Sequence, residues 1–511
     1  MTSWKSCLLL ASLAAFAFSR NARAGDETGS ALLYPEKKEA LDWLSQPLVI
    51  QQFGAISDAI WSYAELGLCE IRSSALLTKT LQQAGFEVKN GLAGMPTCFI
   101  ARHGSGKPNI GILAEYDALP MLSQKGRVPH QEPLLKGAPG HGCGHNTMGT
   151  AAAAAAIAVK RVMEKYGLNG TIQVFGSPAE EGLISRPYMV RAGLFDGVDA
   201  VIDNHFSSGF STSYGVSNNA LISVIYTFEG VTAHGAHAWG GVSALDAVEL
   251  MNVATNYLRE HLHYTYRMHY IILEGGEAPN VVPDRASVWY FLRNSDERIE
   301  EMADKVLNCA RGAALATGCE LASVRTLTAI HQKHNNRAAA ELYQKNIELV
   351  GMPQWSEEEE AFARELQKQL GKEEKGMARE VGKLKTPPGV FTGGASSDVG
   401  DVTLIAPTAT IRFPGGVPGA IGHHWSTVAA TYGSAAWKGL NAGARAMAAS
   451  AIDLLTRPEE LEKLKTEFAA YSAEHPYRFF LPPEAEPPLD INVELMNKWR
   501  PLMEQHYMGE P

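Results

Sequence analysis

Four apolar segments of this 511-residue chain each run into a cluster of ionisable side chains, and that repetition limits the fold more than any other feature. Residues 110–114 precede Glu115-Tyr-Asp117, and residues 171–175 precede Pro178-Ala-Glu-Glu181. Residues 200–202 precede Asp203-Asn-His205, and residues 403–413 precede Gly422-His-His-Trp425. Short apolar runs with polar boundaries predict buried strands. In an open α/β sheet the ligand lies beyond the carboxyl ends of the strands, so clusters distant in sequence converge on one rim. The expectation is an α/β protein with a central, mostly parallel sheet flanked by helices and a site along one edge.

A fifth cluster is more specific. His141-Gly-Cys-Gly-His-Asn146 is a glycine-punctuated turn leading into an Ala-rich helix predicted over residues 147–165. The glycines let the backbone bend so that Cys143 and His145 face one point. Thiolate with imidazole suits zinc and related transition metals, whereas calcium and magnesium prefer oxygen. Glu180-Glu181 makes chemical sense beside cations that cancel the mutual repulsion of the two acids. One carboxylate can then bind metal while its neighbour takes a proton from the activated water.

Composition narrows the partners. Forty-five Lys and Arg against 55 Asp and Glu give a formal charge of −10, which argues against a broad grip on nucleic acid or an anionic membrane. A small-molecule or peptide partner is favoured. Residues 1–24 carry Lys5, an apolar run over 7–18 and Ala22-Arg-Ala24, the pattern of a removed export signal. The run is well short of the roughly 20 residues that span a bilayer, so a secreted or periplasmic product without a membrane anchor is expected. Cys69, Cys98, Cys143, Cys309 and Cys319 remain, an odd number that leaves at least one outside any intramolecular disulfide.

His-Gly-Cys-Gly-His-Asn, Pro-Ala-Glu-Glu, Asp-Asn-His, Asn280-Val-Val-Pro-Asp284 and Ser397-Asp-Val-Gly-Asp401, in this order, resemble the aminoacylase and glutamate-carboxypeptidase family of metallopeptidases. Within that family, Glu115-Tyr-Asp-Ala-Leu-Pro120 and the segment 243–252 are similar to the subgroup of aminobenzoyl-glutamate and indole-acetyl-amino-acid hydrolases. The resemblance covers residues 40 to 455.

It implies two divalent metal ions, zinc or manganese, held by Cys143, His145, Glu181, His205 and a late histidine. For the last it selects His423, with His424 as the neighbouring alternative. It also implies that Glu180 is the general base and that Asp117 orients a ligand from behind. The family carries an inserted lid that dimerises and lends a histidine to the neighbouring site, a role matched by His234. Asn280 and Arg293 match substrate-binding positions, Arg293 as the grip on a carboxylate.

The implied organisation is a catalytic domain in two parts, 25–216 and 330–456, an α+β lid over 217–329 and a C-terminal extension over 457–511. Periodicity inside the lid predicts strands at 220–228 and 286–292 and helices at 244–260 and 298–316. Residues 357–380 read as a charged helical insertion and 383–394 as a loop. The expected activity is hydrolysis of the amide bond of an N-acyl or N-aroyl amino acid, aminobenzoyl-glutamate-like. Auxin-type conjugates and dipeptides are alternative substrates, and an exported binding protein that has lost catalysis is the alternative of another class. A homodimer through the lid is expected, and the subgroup also admits a heteromer with an A-type subunit.

Overall fold

The computed structural model describes residues 33–509 except 388–390 and 392, so the expected export signal lies outside the described residues. No helix among the described residues is long and apolar enough to cross a membrane.

Strands are numbered in chain order. The central sheet contains β1 (Glu87–Asn90), β2 (Phe99–Ser105), β3 (Asn109–Ala114), β4 (Gly170–Gly176), β5 (Ala200–Phe206) and β12 (Thr408–Phe413). Its order is β1-β2-β4-β3-β5-β12. The run β4-β3-β5-β12 is parallel, while β1 and β2 join antiparallel at one edge. Parallel strands are covered on both faces, which explains the near-continuous apolar character of β3 and β4. A short ribbon pairs β6 (Gly215–Val216) with β11 (His334–Asn335).

Two sequence expectations shift. The Asp203-Asn-His205 cluster lies inside β5, which extends to Phe206. The segment 403–413 is not one strand, because Val399–Thr403 is a helix and pairing begins only at Thr408, after Pro407. A proline has no N–H to donate to a ladder and marks that entrance.

Between β5 and β12 the chain builds a separate four-stranded antiparallel sheet of order β10-β7-β9-β8. Its members are β7 (Ala220–Glu229), β8 (Arg267–Glu274), β9 (Arg285–Asn294) and β10 (Glu320–Ile330). The helices Ala244–Leu258 and Ile299–Thr317 share a hydrophobic core with it. The C-terminal extension after residue 457 contains the helices Pro458–Glu474 and Val493–Met503. It also ties the two sheets together. Arg478 pairs with Glu300 of the lid helix, Arg325 of β10 pairs with Asp490, and Met496 is buried beside Leu66 and Cys69.

The helix His145–Tyr166 sets the site. Its residues 151–156 are six buried alanines, small side chains that let it lie close to the sheet. Gly149, one turn after His145, makes a close approach, and a Cβ there would come 2.5 Å from the Glu115 carbonyl oxygen. Gly149→Ala therefore pushes His145 away from the end of β3. The expected cost is about 1–3 kcal/mol of stability, read from denaturant midpoints, with a parallel loss of metal affinity.

Candidate metal centre

The carboxyl ends of β3, β4, β5 and β12 open onto a cavity of about 470 Å³, whose walls include Glu115, Cys143, Glu180, Glu181, His205 and His423. Cys143 Sγ lies 3.5 Å from His205 Nε2. The other ring nitrogen of His205 donates to the Phe206 carbonyl at 2.7 Å, which leaves Nε2 with its lone pair toward the cavity. His145 is completely buried. Its Nδ1 donates to Asp117 Oδ1 at 2.8 Å, and its Nε2 lies 3.3 Å from Glu115 Oε2, 3.7 Å from Glu180 Oε2 and 4.0 Å from Glu181 Oε1. The second Asp117 oxygen accepts the Glu181 backbone N–H at 2.9 Å. One carboxylate thus fixes a ring and a backbone segment from different parts of the chain.

His423 Nε2 lies 3.2 Å from Glu181 Oε2, whereas His424 turns away and caps the helix Trp425–Ala430 by accepting from the Ser426 N–H. The late histidine at the cavity is therefore His423. His141, the first histidine of the glycine-rich turn, also points elsewhere. It is hydrogen-bonded to the Ile60 carbonyl, and burial pushes its pKa down to about 3.

Electrostatics and backbone geometry both mark the cluster. Burial raises the Cys143 thiol, but the adjacent His205 and His145 rings outweigh it and bring the group well below its usual value. Burial and then the Glu115 carboxylate push Glu180 well above the ordinary carboxylate range. Hydrogen bonds to Cys143 and Glu181 raise His423 to about 10. Ala179, Leu183 and His423 adopt φ of 54°, 58° and 53°, a left-handed conformation that costs non-glycine residues of order 1–3 kcal/mol. The first two bracket the Glu180-Glu181 pair.

Glu115 Oε2, His145 Nε2 and Glu181 Oε1 are buried without a hydrogen-bond partner among the described residues. Such atoms are uncommon in a folded interior, and three of them meet at this cluster. Their donor atoms fall into two overlapping sets, Cys143 with His145 and Glu181, and Glu115 with His145 and Glu180. Sulfur, imidazole nitrogen and carboxylate oxygen together form a donor set that fits a transition-metal cation.

The family model of peptidase family M20/M25/M40 matches residues 111–389. The chain belongs to peptidase family M20/M25/M40. Membership makes it a hydrolase of amide bonds, and the family resemblance carried by the motifs holds. The M20/M25/M40 members similar to this chain include the B-type subunit of p-aminobenzoyl-glutamate hydrolase from Escherichia coli strain K12. That relative is 36% identical over 465 residues, covering 86% of this chain and 96% of its own length. The Xaa-Arg dipeptidase of Mus musculus is 29% identical over 436 residues, covering 82% and 89%. The fold is similar to that of an aminobenzoyl-glutamate utilization protein from Klebsiella pneumoniae, with a TM-score of 0.52 at 17% identity, covering 77% of this chain and 93% of that one.

Three residues expected at the site need separate placement. Arg293, on β9, lines the cavity, with Nε donating to Ser396 Oγ at 3.1 Å and the guanidinium over the Phe291 ring. His234 and Asn280 lie outside the cavity, side by side on the exposed lid surface. The Gly235 N–H donates to the Asn280 carbonyl at 2.7 Å, and His234 bridges to Val281.

Sequence reasoning missed a buried charge network behind the cluster. Arg186, fully buried, pairs with Asp398 through one guanidinium nitrogen and with Glu115 Oε1 through another at 2.6 Å. Asp398 also accepts the Arg186 backbone N–H and the Ser185 hydroxyl. This gives the Ser-Ser-Asp segment a use, since it anchors the helix that follows Glu180-Glu181. No local signal distinguishes Arg186 from a surface arginine.

Asp117→Asn keeps the shape but presents an amide where the His145 N–H needs an acceptor. Metal affinity is expected to fall about 10–100-fold with little change in fold, as measured by competition with a chromophoric chelator.

Proposed function

We propose that the chain is a two-metal amidohydrolase that releases an amino acid from an N-acyl or N-aroyl conjugate, with aminobenzoyl-glutamate-like compounds as the favoured substrates. The observation that carries this reading is the convergence of Cys143, His145, Glu181, His205 and His423 on one cavity whose buried donor atoms lack partners. Those five residues would hold the two cations, and the thiolate favours zinc, with manganese as the second choice. Divalent cations bound there supply a polarised carbonyl and an acidified water. The activity printed for the Escherichia coli relative supports the choice of substrate.

The chain's own residues perform the remaining steps. Glu180 reaches toward the same centre, 3.7 Å from His145 Nε2, and burial with the neighbouring Glu115 carboxylate raises its carboxyl, which favours holding a proton. It takes the proton of the attacking water and delivers it to the amine nitrogen as the C–N bond breaks. Arg293 offers a planar fork to a substrate carboxylate.

His234 and Asn280 would act in a second copy, where His234 stabilises the oxyanion. The lid presents the surface for such a dimer. Strand β8 is an edge strand with Ile271, Ile272 and Leu273 exposed, and Trp239, in the turn after His234, is 84% exposed. Open apolar edges of this kind pair with another chain. Assembly with an A-type subunit through the same lid is the alternative, supported by the Escherichia coli relative being one subunit type of its hydrolase.

Glu180→Gln tests the chemistry. The variant is expected to retain both metals by elemental analysis and to lose about 10³-fold in amino-acid release, followed by mass spectrometry on an acyl-amino-acid panel. Equal inactivity of wild type and variant across the panel would instead favour a binding protein.

A further inference from the structure

The cavity wall contains a guanidinium that neither the fold nor the proposed chemistry uses. Arg412 is the penultimate residue of β12, where it pairs in register with His205 of β5. Two residues earlier on the same ladder, Thr410 pairs with Asp203, and their side chains meet at 2.7 Å. Alternate residues of a strand share a face, so Arg412 stands beside His205 on the cavity side. It lines the cavity and is half-buried.

Among the described residues Arg412 has no counter-ion. Asp203, the acid on the same face, is taken by Lys333 and by the Thr410 hydroxyl. Among the described residues Arg412 makes no side-chain hydrogen bond, ion pair or ring contact. Arg293, also on the cavity wall, likewise touches a hydroxyl, a ring and His269 but no carboxylate. Acids outnumber bases 55 to 45 in the chain, so two guanidinium groups in one cavity that pair with no carboxylate among the described residues are not explained by the overall charge balance. A half-buried cation without a partner loses hydration, and an anionic ligand restores what was lost.

We propose that Arg412 is a specificity-determining residue of this site, binding the side-chain carboxylate of the acidic amino acid that the favoured substrates carry. The proposal rests on the amidohydrolase reading and goes one step beyond it. Arg293 takes one carboxylate of the amino acid and Arg412 the other, while the carbonyl stays with the metal ligands. The same arrangement disfavours a basic amino acid, whose side chain would meet Arg412 with like charge.

The test compares N-(4-aminobenzoyl) conjugates of glutamate, glutamine and arginine on metal-loaded wild type, Arg412→Gln and Arg412→Lys. Elemental analysis confirms two metals in each. Wild type should prefer glutamate over glutamine by about 30-fold in kcat/KM, mostly through KM, the scale of one charge-assisted contact. Arg412→Gln should bring that ratio near one, and Arg412→Lys should restore part of it.

Binding of glutarate against its monoamide, followed by thermal shift, asks the same question without turnover. Wild type should prefer the dianion, and Arg412→Gln should not. Hydrolysis with no preference between glutamate and glutamine, or a preference that survives Arg412→Gln, overturns the assignment while leaving the amidohydrolase intact. If none of these conjugates is hydrolysed, the choice of aminobenzoyl conjugates as substrates fails, and the glutarate comparison alone decides for or against an anion site at Arg412.

Discussion

A single buried carboxylate, Asp117, holds the organisation of this site in place. One of its oxygens receives the N–H of the His145 ring and the other the backbone N–H of Glu181. The end of β3, the start of the long Ala-rich helix and the loop after β4 are thereby locked in one relative position. Each of those segments contributes to the centre, Glu115 from the end of β3, His145 from the helix and Glu180 with Glu181 from the loop, and none could place the others. Fixing the ring through Nδ1 also decides which nitrogen carries the lone pair, so the hydrogen bond sets chemistry as well as geometry.

A second layer of charge prevents the cluster from relaxing. Four acids, Glu115, Glu180, Glu181 and Asp398, lie close to one another, and Arg186 neutralises two of them directly. Removing one member of such a buried pair commonly costs about 3–5 kcal/mol, because the abandoned charge has no water to turn to. The left-handed residues Ala179, Leu183 and His423 show that the local backbone bends to the needs of the site. Divalent cations held by the thiol, the rings and the unsatisfied oxygens would supply compensation for this charge.

Much of this was legible because the chemistry is local. Cys143 and His145 are two residues apart on a glycine turn, and Glu180-Glu181 follows a strand, so spacing and the strand-end rule bring them together. His423 and His424 could not be separated by sequence alone, because a one-residue difference is settled by backbone conformation. His423 takes the left-handed turn toward Glu181 while His424 caps a helix. Arg186 and Arg412 were illegible for a different reason. A charged side chain in a strand or helix is ordinarily solvated, and only the assembled topology shows that these two face inward. The lid strands β8 and β10 were missed because their exposed faces break the alternation on which pattern reading depends. The contacts of the extension after 457 were not legible either, because they rest on long-range pairs such as Arg325 with Asp490.

The central claim is that two cations share the space between Cys143, His145, Glu181, His205 and His423. The most direct measurement is anomalous diffraction at a metal absorption edge from crystals of the metal-loaded protein. Two peaks are expected inside the cavity, at least one of them about 2.3 Å from Cys143 Sγ if the metal is zinc. Peaks confined to the surface, or a cavity peak out of reach of both Cys143 and Glu181, would contradict it.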